Sequence, residues 1–344
     1  MTDEADLWCG SYTGSRGDGE GIWALSVRED GTVAVLGTAA RADSPSFLAA
    51  HPRHPIVYAV AEFAQTVQAY RREGATLAPV GEAWHAGDAV CHIAVDPAGD
   101  FAVACCWGDG HVVRYGLDAA GDIVSRQTAL AADDPHPGSP GADGTARQSR
   151  AHMALVLPDG RVLTTDLGFD LVRVWRAAAH GLEPDHEVVL PAGSGPRHLV
   201  WNPAGFVYVI SELSGEVFVL GEGASGRFAV LRRSSATRAG HRDGDAGCEI
   251  TLSEDRAFVH TTMRGQNVIT THAVRDGGAR LEPIADTPCG GDWPRHHLEK
   301  GGLVRVANQR SSSVATFRLD SATGLPTLLG TSPVGTPTCL LPVR

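Results

Sequence analysis

The chain has 344 residues, 43% of them hydrophobic and 20% charged, and a formal net charge of -11. That balance excludes the basic surface needed to hold nucleic acid or an anionic membrane by charge, and no apolar run approaches the ~20 residues that cross a bilayer. The 41 glycines and 20 prolines favour frequent turns over long helices.

In chain order, the first segments are "DLWCGSYTG", "GIWALSV" and "TVAVLGTA", three β-rich runs that lack the pattern of a signal peptide. A unit then repeats six times: an apolar run, a turn, a β-rich run, a Gly/Asp/Ser turn and another β-rich run. Its copies open at Ser46, Cys91, His152, Arg197, Cys248 and Arg295, spaced by 45, 61, 45, 51 and 47 residues. Runs of this length, rich in Val, Ile, Tyr and Phe and bounded by turn residues, predict antiparallel strands. A period near ~45 residues with about four short strands predicts a β-propeller blade. The C-terminal "PTCLLPVR" reads as a first strand with nothing after it, and the N-terminal runs as second to fourth strands with nothing before them. Joined, they complete a seventh blade and close the ring, which removes exposed sheet edges. The expectation is one all-β, seven-bladed propeller domain over residues 1–344. The Gly/Pro/Asp-rich stretch at 132–149 accounts for the longest spacing as a surface loop between blades.

The seven cysteines are scattered, without a C-x-x-C and with one adjacent pair, Cys105 and Cys106. They predict a reduced, cytoplasmic protein rather than a disulfide scaffold or a zinc site.

The repeat allows positions to be compared within the chain. The opening residue of each first strand is Ser46, Cys91, His152, Arg197, Cys248 or Arg295, followed by Phe47, His92, Met153, His198, Glu249 or His296. First strands line the central channel of a propeller, so these residues ring one mouth. Second strands run back to that mouth and end at Glu62, Trp107, Asp166, Glu212, Arg264 and Asn308–Gln309. Phe47, Met153 and the tryptophans read most simply as core, and the histidines taken singly as structural. Arg197, Arg264 and Arg295 stand out, because buried arginines are costly unless paired. Glu212 or a ligand anion are the available partners.

"GSGPRHLVWNPAGFVYVISEL", "VCHIAVDPAGDFAVACC", "ITLSEDRAFVHTTMRGQN" and "PRHHLEKGGLVRVANQRSSSVATFRLDSATGLP" resemble the seven-bladed lactonase family. That family contains propeller-type 6-phosphogluconolactonases and carboxymuconate lactonizing enzymes, and the resemblance runs from "GSYTG" to the end. It implies His152, Arg197, Glu212 and Arg264 as active-site groups, and His198, Arg295, His92 and Glu62 remain candidate substrate contacts at the same mouth. Among the chain's departures from the family pattern, Arg150 stands where the family has a histidine, and Cys105-Cys106-Trp107 replaces its usual "NY", which changes the pocket wall.

Arginines suit an anionic sugar-acid lactone and the oxyanion formed when water attacks it. His152 or Glu212 would serve as general base, and no G-x-S-x-G nucleophile elbow is present. Neither a cofactor nor a catalytic metal is expected. The same groups also permit a cycloisomerase that closes a lactone on a muconate, or a propeller that only binds a ligand.

Overall fold

The computed structural model describes residues 4–141, 144–179 and 181–343. Its strands form seven four-stranded antiparallel sheets. Taken in chain order, the inner strands of blades 1 to 6 are Pro45–Ala50, Val90–Val95, Ala151–Val156, Pro196–Asn202, Ala246–Leu252 and Pro294–Lys300. Blade 7 pairs Pro337–Pro342 with Leu7–Ser11, followed by Ile22–Val27 and Val33–Ala40, so the two ends of the chain close the ring within one sheet.

Second strands such as Ile56–Ala61 and Phe101–Cys106 are apolar along their length because both faces are covered by neighbouring blades. Tyr58, Ile93, Ala102, Val113 and Tyr115 form one such inter-blade core. Fourth strands lie at the rim, and Ile123–Thr128 has no buried residue. The turns are made by local chemistry. At Pro158-Asp159-Gly160 the Leu157 amide donates to the Arg161 carbonyl at 2.8 Å, and Gly160 takes a φ of +85° that a side chain would disfavour.

All seven inner strands break their pairing at one level. The register shifts between Pro45 and Phe47, Val90 and His92, Ala151 and Ala154, Pro196 and His198, Gly247 and Ile250, and Pro294 and His296. In blade 7 Thr338 is the extra residue, since Cys339 pairs with Gly10 and Pro337 with Ser11. Each shift is a β-bulge, which bends a strand and re-aims its side chains. Strict alternation would send Arg197 and His198 to opposite faces of the sheet. Instead Arg197 reaches toward the next blade and the mouth, where it meets Cys248 and Glu212. His198 turns into the channel against Phe47, His92 and His152.

The bulges also join the blades. Cys91 Sγ lies 3.4 Å from the His152 carbonyl, Arg197 Nη1 donates to the Cys248 carbonyl at 2.6 Å, and Cys248 Sγ lies 2.8 Å from the Arg295 carbonyl. Among the described residues, His152 Nδ1 and the hydroxyls of Ser46 and Thr338 are buried without a hydrogen-bond partner.

Candidate active site

Two ion-pair groups occupy the mouth. In the first, Glu212 follows the second strand of blade 4, and its Oε2 lies 3.1 Å from Arg197 Nε and 2.6 Å from Arg264 Nη2. Arg264 also donates to the Gly247 carbonyl at 3.2 Å. Burial acts to raise the Glu212 carboxyl, but Arg264 and Arg197 outweigh it and hold it below the usual carboxylate range. Burial acts to lower the Arg264 guanidinium, and Glu212 reverses that too. In the second group Arg295 lies 3.7 Å from Glu62 and 4.9 Å above the Tyr12 ring, while Tyr12 Oη donates to Glu62 at 2.9 Å. Three guanidiniums thus face two carboxylates, which leaves one positive charge in excess.

His152 is 6% exposed. Burial, reinforced by Arg197, pushes its imidazole well below the usual histidine range, so it is neutral at physiological pH. Neutral, it can accept a proton, while its Nδ1 is sealed from solvent with no hydrogen-bond partner among the described residues. Deeper in the channel lie His92, His198 and His296 around Phe47. The four imidazoles therefore line one passage, with His198 and His152 ring centres 5.2 Å apart.

The structure thus brings His152, Arg197, Glu212 and Arg264 to one end of the channel, joined by Arg295 and Glu62. It sets His198 and His92 below them. Asp166 takes another part: it accepts from Ser149 Oγ and from the Arg150 and Phe169 amides, which makes it a turn clamp. Asn308 is likewise spent on Cys289. Phe47 is half-buried, packed against two hydrophobic clusters and turned to the channel histidines, whereas Trp107 is 39% exposed and is not a core residue. Tyr12 occupies in blade 7 the place that Glu62 and Glu212 hold in blades 1 and 4. Extending the position count across the chain ends would have found it.

The two departures from the family pattern meet each other. The Arg150 guanidinium lies 3.9 Å from the centre of the Trp107 ring. Both line a cleft of about 220 Å³ that reaches Glu212, with Leu167 and Leu213 on its walls. The insertion after blade 2 forms one side of this cleft and is more than surface loop at its C-terminal end. Arg147 is buried there, with Nε 3.0 Å from Asp134 and Nη2 2.9 Å from Asp170.

Gly247 sets how closely blades 4 and 5 approach at the site. A Cβ there would strike the Ser211 carbonyl, immediately before Glu212, and the Gly247 amide donates to the Glu212 carbonyl at 3.1 Å. Gly247→Ala is expected to cost about 1–3 kcal/mol, read from the denaturant midpoint.

The description "Lactonase, 7-bladed beta-propeller" belongs to the family model that matches residues 6–342. The chain belongs to this family. Among lactonase relatives it is similar to the 6-phosphogluconolactonase of Bacillus subtilis (strain 168), 26% identical over 344 residues and covering 97% of each chain. It also resembles the solved structure of the periplasmic gluconolactonase PpgL of Pseudomonas aeruginosa. That match has a TM-score of 0.87 and 26% identity, and covers 98% of this chain and 99% of the other. A Lactobacillus plantarum protein matches with a TM-score of 0.89 and 24% identity over 100% of both chains, a likeness of fold. Among the described residues of this lactonase-family chain, no group of three or more His, Cys, Asp or Glu side chains is placed to hold a metal ion, and no helix is long and apolar enough to cross a membrane.

Proposed function

We propose that the protein hydrolyses a small anionic sugar-acid lactone such as 6-phosphogluconolactone. The observation that carries this reading is the Arg197–Glu212–Arg264 group beside a buried, neutral His152. Arg197 and Arg264 bind the substrate's anionic group and the oxyanion that forms as water adds to the lactone carbonyl. His152 takes the proton from that water. Glu212, held ionised between two guanidiniums, is a weak base and instead holds the arginines in place. Collapse of the tetrahedral adduct breaks the ring C–O bond, and the proton returns to the leaving alkoxide from His152. A cycloisomerase would need His152 to donate a proton from the outset, for which a neutral imidazole is poorly suited.

The seven cysteines are buried free thiols, which fits a reducing compartment such as the cytoplasm.

The test is an assay of purified protein on 6-phosphogluconolactone, unphosphorylated gluconolactone and a muconate. Hydrolysis of the phosphorylated lactone is expected to be fastest, and His152→Ala should lower kcat on the order of 10²-fold with the fold intact. Turnover of the muconate alone would favour the cycloisomerase. Failure of the folded wild type on all three would favour a binding protein.

A further inference from the structure

Below the mouth, Glu249 is 5% exposed, in the bulged stretch of the inner strand of blade 5. Its Oε1 lies 2.9 Å from His198 Nδ1 and 3.0 Å from the Ile250 amide, and its Oε2 lies 3.5 Å from His296 Nε2. These contacts decide where the imidazole protons sit. A carboxylate only accepts, so His198 must carry its proton on Nδ1. Burial, reinforced by Arg197, keeps His198 neutral, so Nε2 is a bare lone pair. Among the described residues nothing hydrogen-bonds to that nitrogen. The other two channel histidines are opposite in sense. His92 Nδ1 accepts from the Ala154 amide and His296 Nδ1 from the Leu340 amide, each at 3.3 Å, so both carry their proton on Nε2.

The groups facing His198 are Arg197, Arg264, Arg295 and Glu212 toward the mouth, Glu249 at its Nδ1, and the imidazoles of His92, His152 and His296. Its ring lies 5.2 Å from that of His152 at 62°. A water between two imidazole acceptors can give one O–H to each, which fixes the direction of its remaining lone pairs.

We propose that Glu249 is a positioning residue: by holding the Nδ1 proton of His198 it leaves Nε2 as a second acceptor, beside His152, for the water that attacks the lactone. His152 removes the proton, and His198 orients the water. This rests on the hydrolytic reading above, and deepens it by assigning a residue outside the mouth.

The test has two independent arms. Long-range ¹H–¹⁵N correlation spectra of the full-length wild type report each imidazole tautomer, with His198 assigned by the signal that His198→Asn removes. The expected pattern near neutral pH is protonated Nδ1 and bare Nε2. A His198 found with its proton on Nε2, or doubly protonated, overturns the proposal whatever the activity. In the second arm, Glu249→Leu, which has no acceptor for the His198 Nδ1 proton, should lower kcat on the order of 10²-fold while KM stays within about threefold, because the water and not the substrate is misplaced. The same spectra of Glu249→Leu should show His198 losing its single tautomer, whereas Glu249→Gln, whose amide oxygen still accepts, should keep it. A kcat within about twofold of wild type in Glu249→Leu overturns the positioning role. A wild type inactive on every lactone overturns the hydrolytic reading and the water's role with it, and the tautomer assignment is still judged by the spectrum.

Discussion

Acidification from about pH 7.5 to about pH 5.5 should remove up to about 8 kcal/mol from the folding free energy. Among the described residues, six histidines are held far below the ordinary imidazole value. Burial pushes His92, His152 and His198 well below the usual range, His296 down to about 4, and His297 and His272 down to about 3. In the unfolded chain each takes up a proton near about pH 6.5, whereas the folded protein refuses it until far lower pH. The unfolded state therefore binds more protons as pH falls, and stability drops with it. Stability is complete above the unfolded value and is lost progressively below it, toward the folded values. Each imidazole contributes about 1.4 kcal/mol over those two pH units. Glu212 works over a different window. Its lowered carboxyl stabilises the fold above the ordinary Glu value and loses that effect only below it, so it does not compensate. Because a whole domain is typically stable by about 5–15 kcal/mol, unfolding near about pH 5 is expected. Urea midpoints at the two pH values measure this directly. Midpoints that coincide would show that the channel histidines are not held neutral.

Replacing Glu212 with alanine should cost about 3–5 kcal/mol, the usual penalty for removing one partner of a buried ion pair. Arg197 and Arg264 are 3% and 6% exposed, and both depend on the single Oε2 of Glu212 for neutralisation. Arg197 would keep its bond to the Cys248 carbonyl, and Arg264 its bonds to blade 5 carbonyls, but carbonyl dipoles do not neutralise two cations. The loss should be larger than for Glu212→Gln, whose amide oxygen still accepts. Added phosphate or sulfate should restore part of the stability of Glu212→Ala, because an anion that binds only the folded state stabilises it by mass action. Denaturation curves with and without the anion measure this. Indifference of the variant to anions would show that the two guanidiniums do not form an anion seat. In the same variant kcat/KM for the lactone should fall steeply, since both arginines lose their brace.

Much of this was legible in the sequence. The repeat spacing defined the blades, and the stranded ends at Pro337 and Leu7 revealed how the ring closes. Comparison of equivalent positions placed Arg197, Glu212 and Arg264 together, and the contacts agree. Other features were hidden for physical reasons. A bulge leaves no mark in an apolar/polar pattern, so the re-aiming of Arg197 toward the mouth and His198 into the channel could not be read from alternation. Tyr12 and Thr338 belong to a blade divided between the two chain ends, and an internal comparison passes over them. Arg295 pairs with Glu62 across the junction of blades 6, 7 and 1, a contact that no local pattern encodes. The burial of Arg147 depends on Asp170 of the next blade, and composition alone marked its segment as loop.

The shared bulge also bears on how such a protein can change its chemistry over evolutionary time. At that level the inner strand has already given up its regular pairing, and Cys91, Arg197 and Cys248 bond there to a carbonyl of the neighbouring blade. Ser46, Cys91, His152, Arg197, Cys248, Arg295 and Thr338 occupy seven equivalent sockets on one backbone. A hydroxyl, a thiol, an imidazole and a guanidinium are all tolerated there. A new substrate can thus be met by exchanging one or two of them, while the frame that holds them stays unaltered.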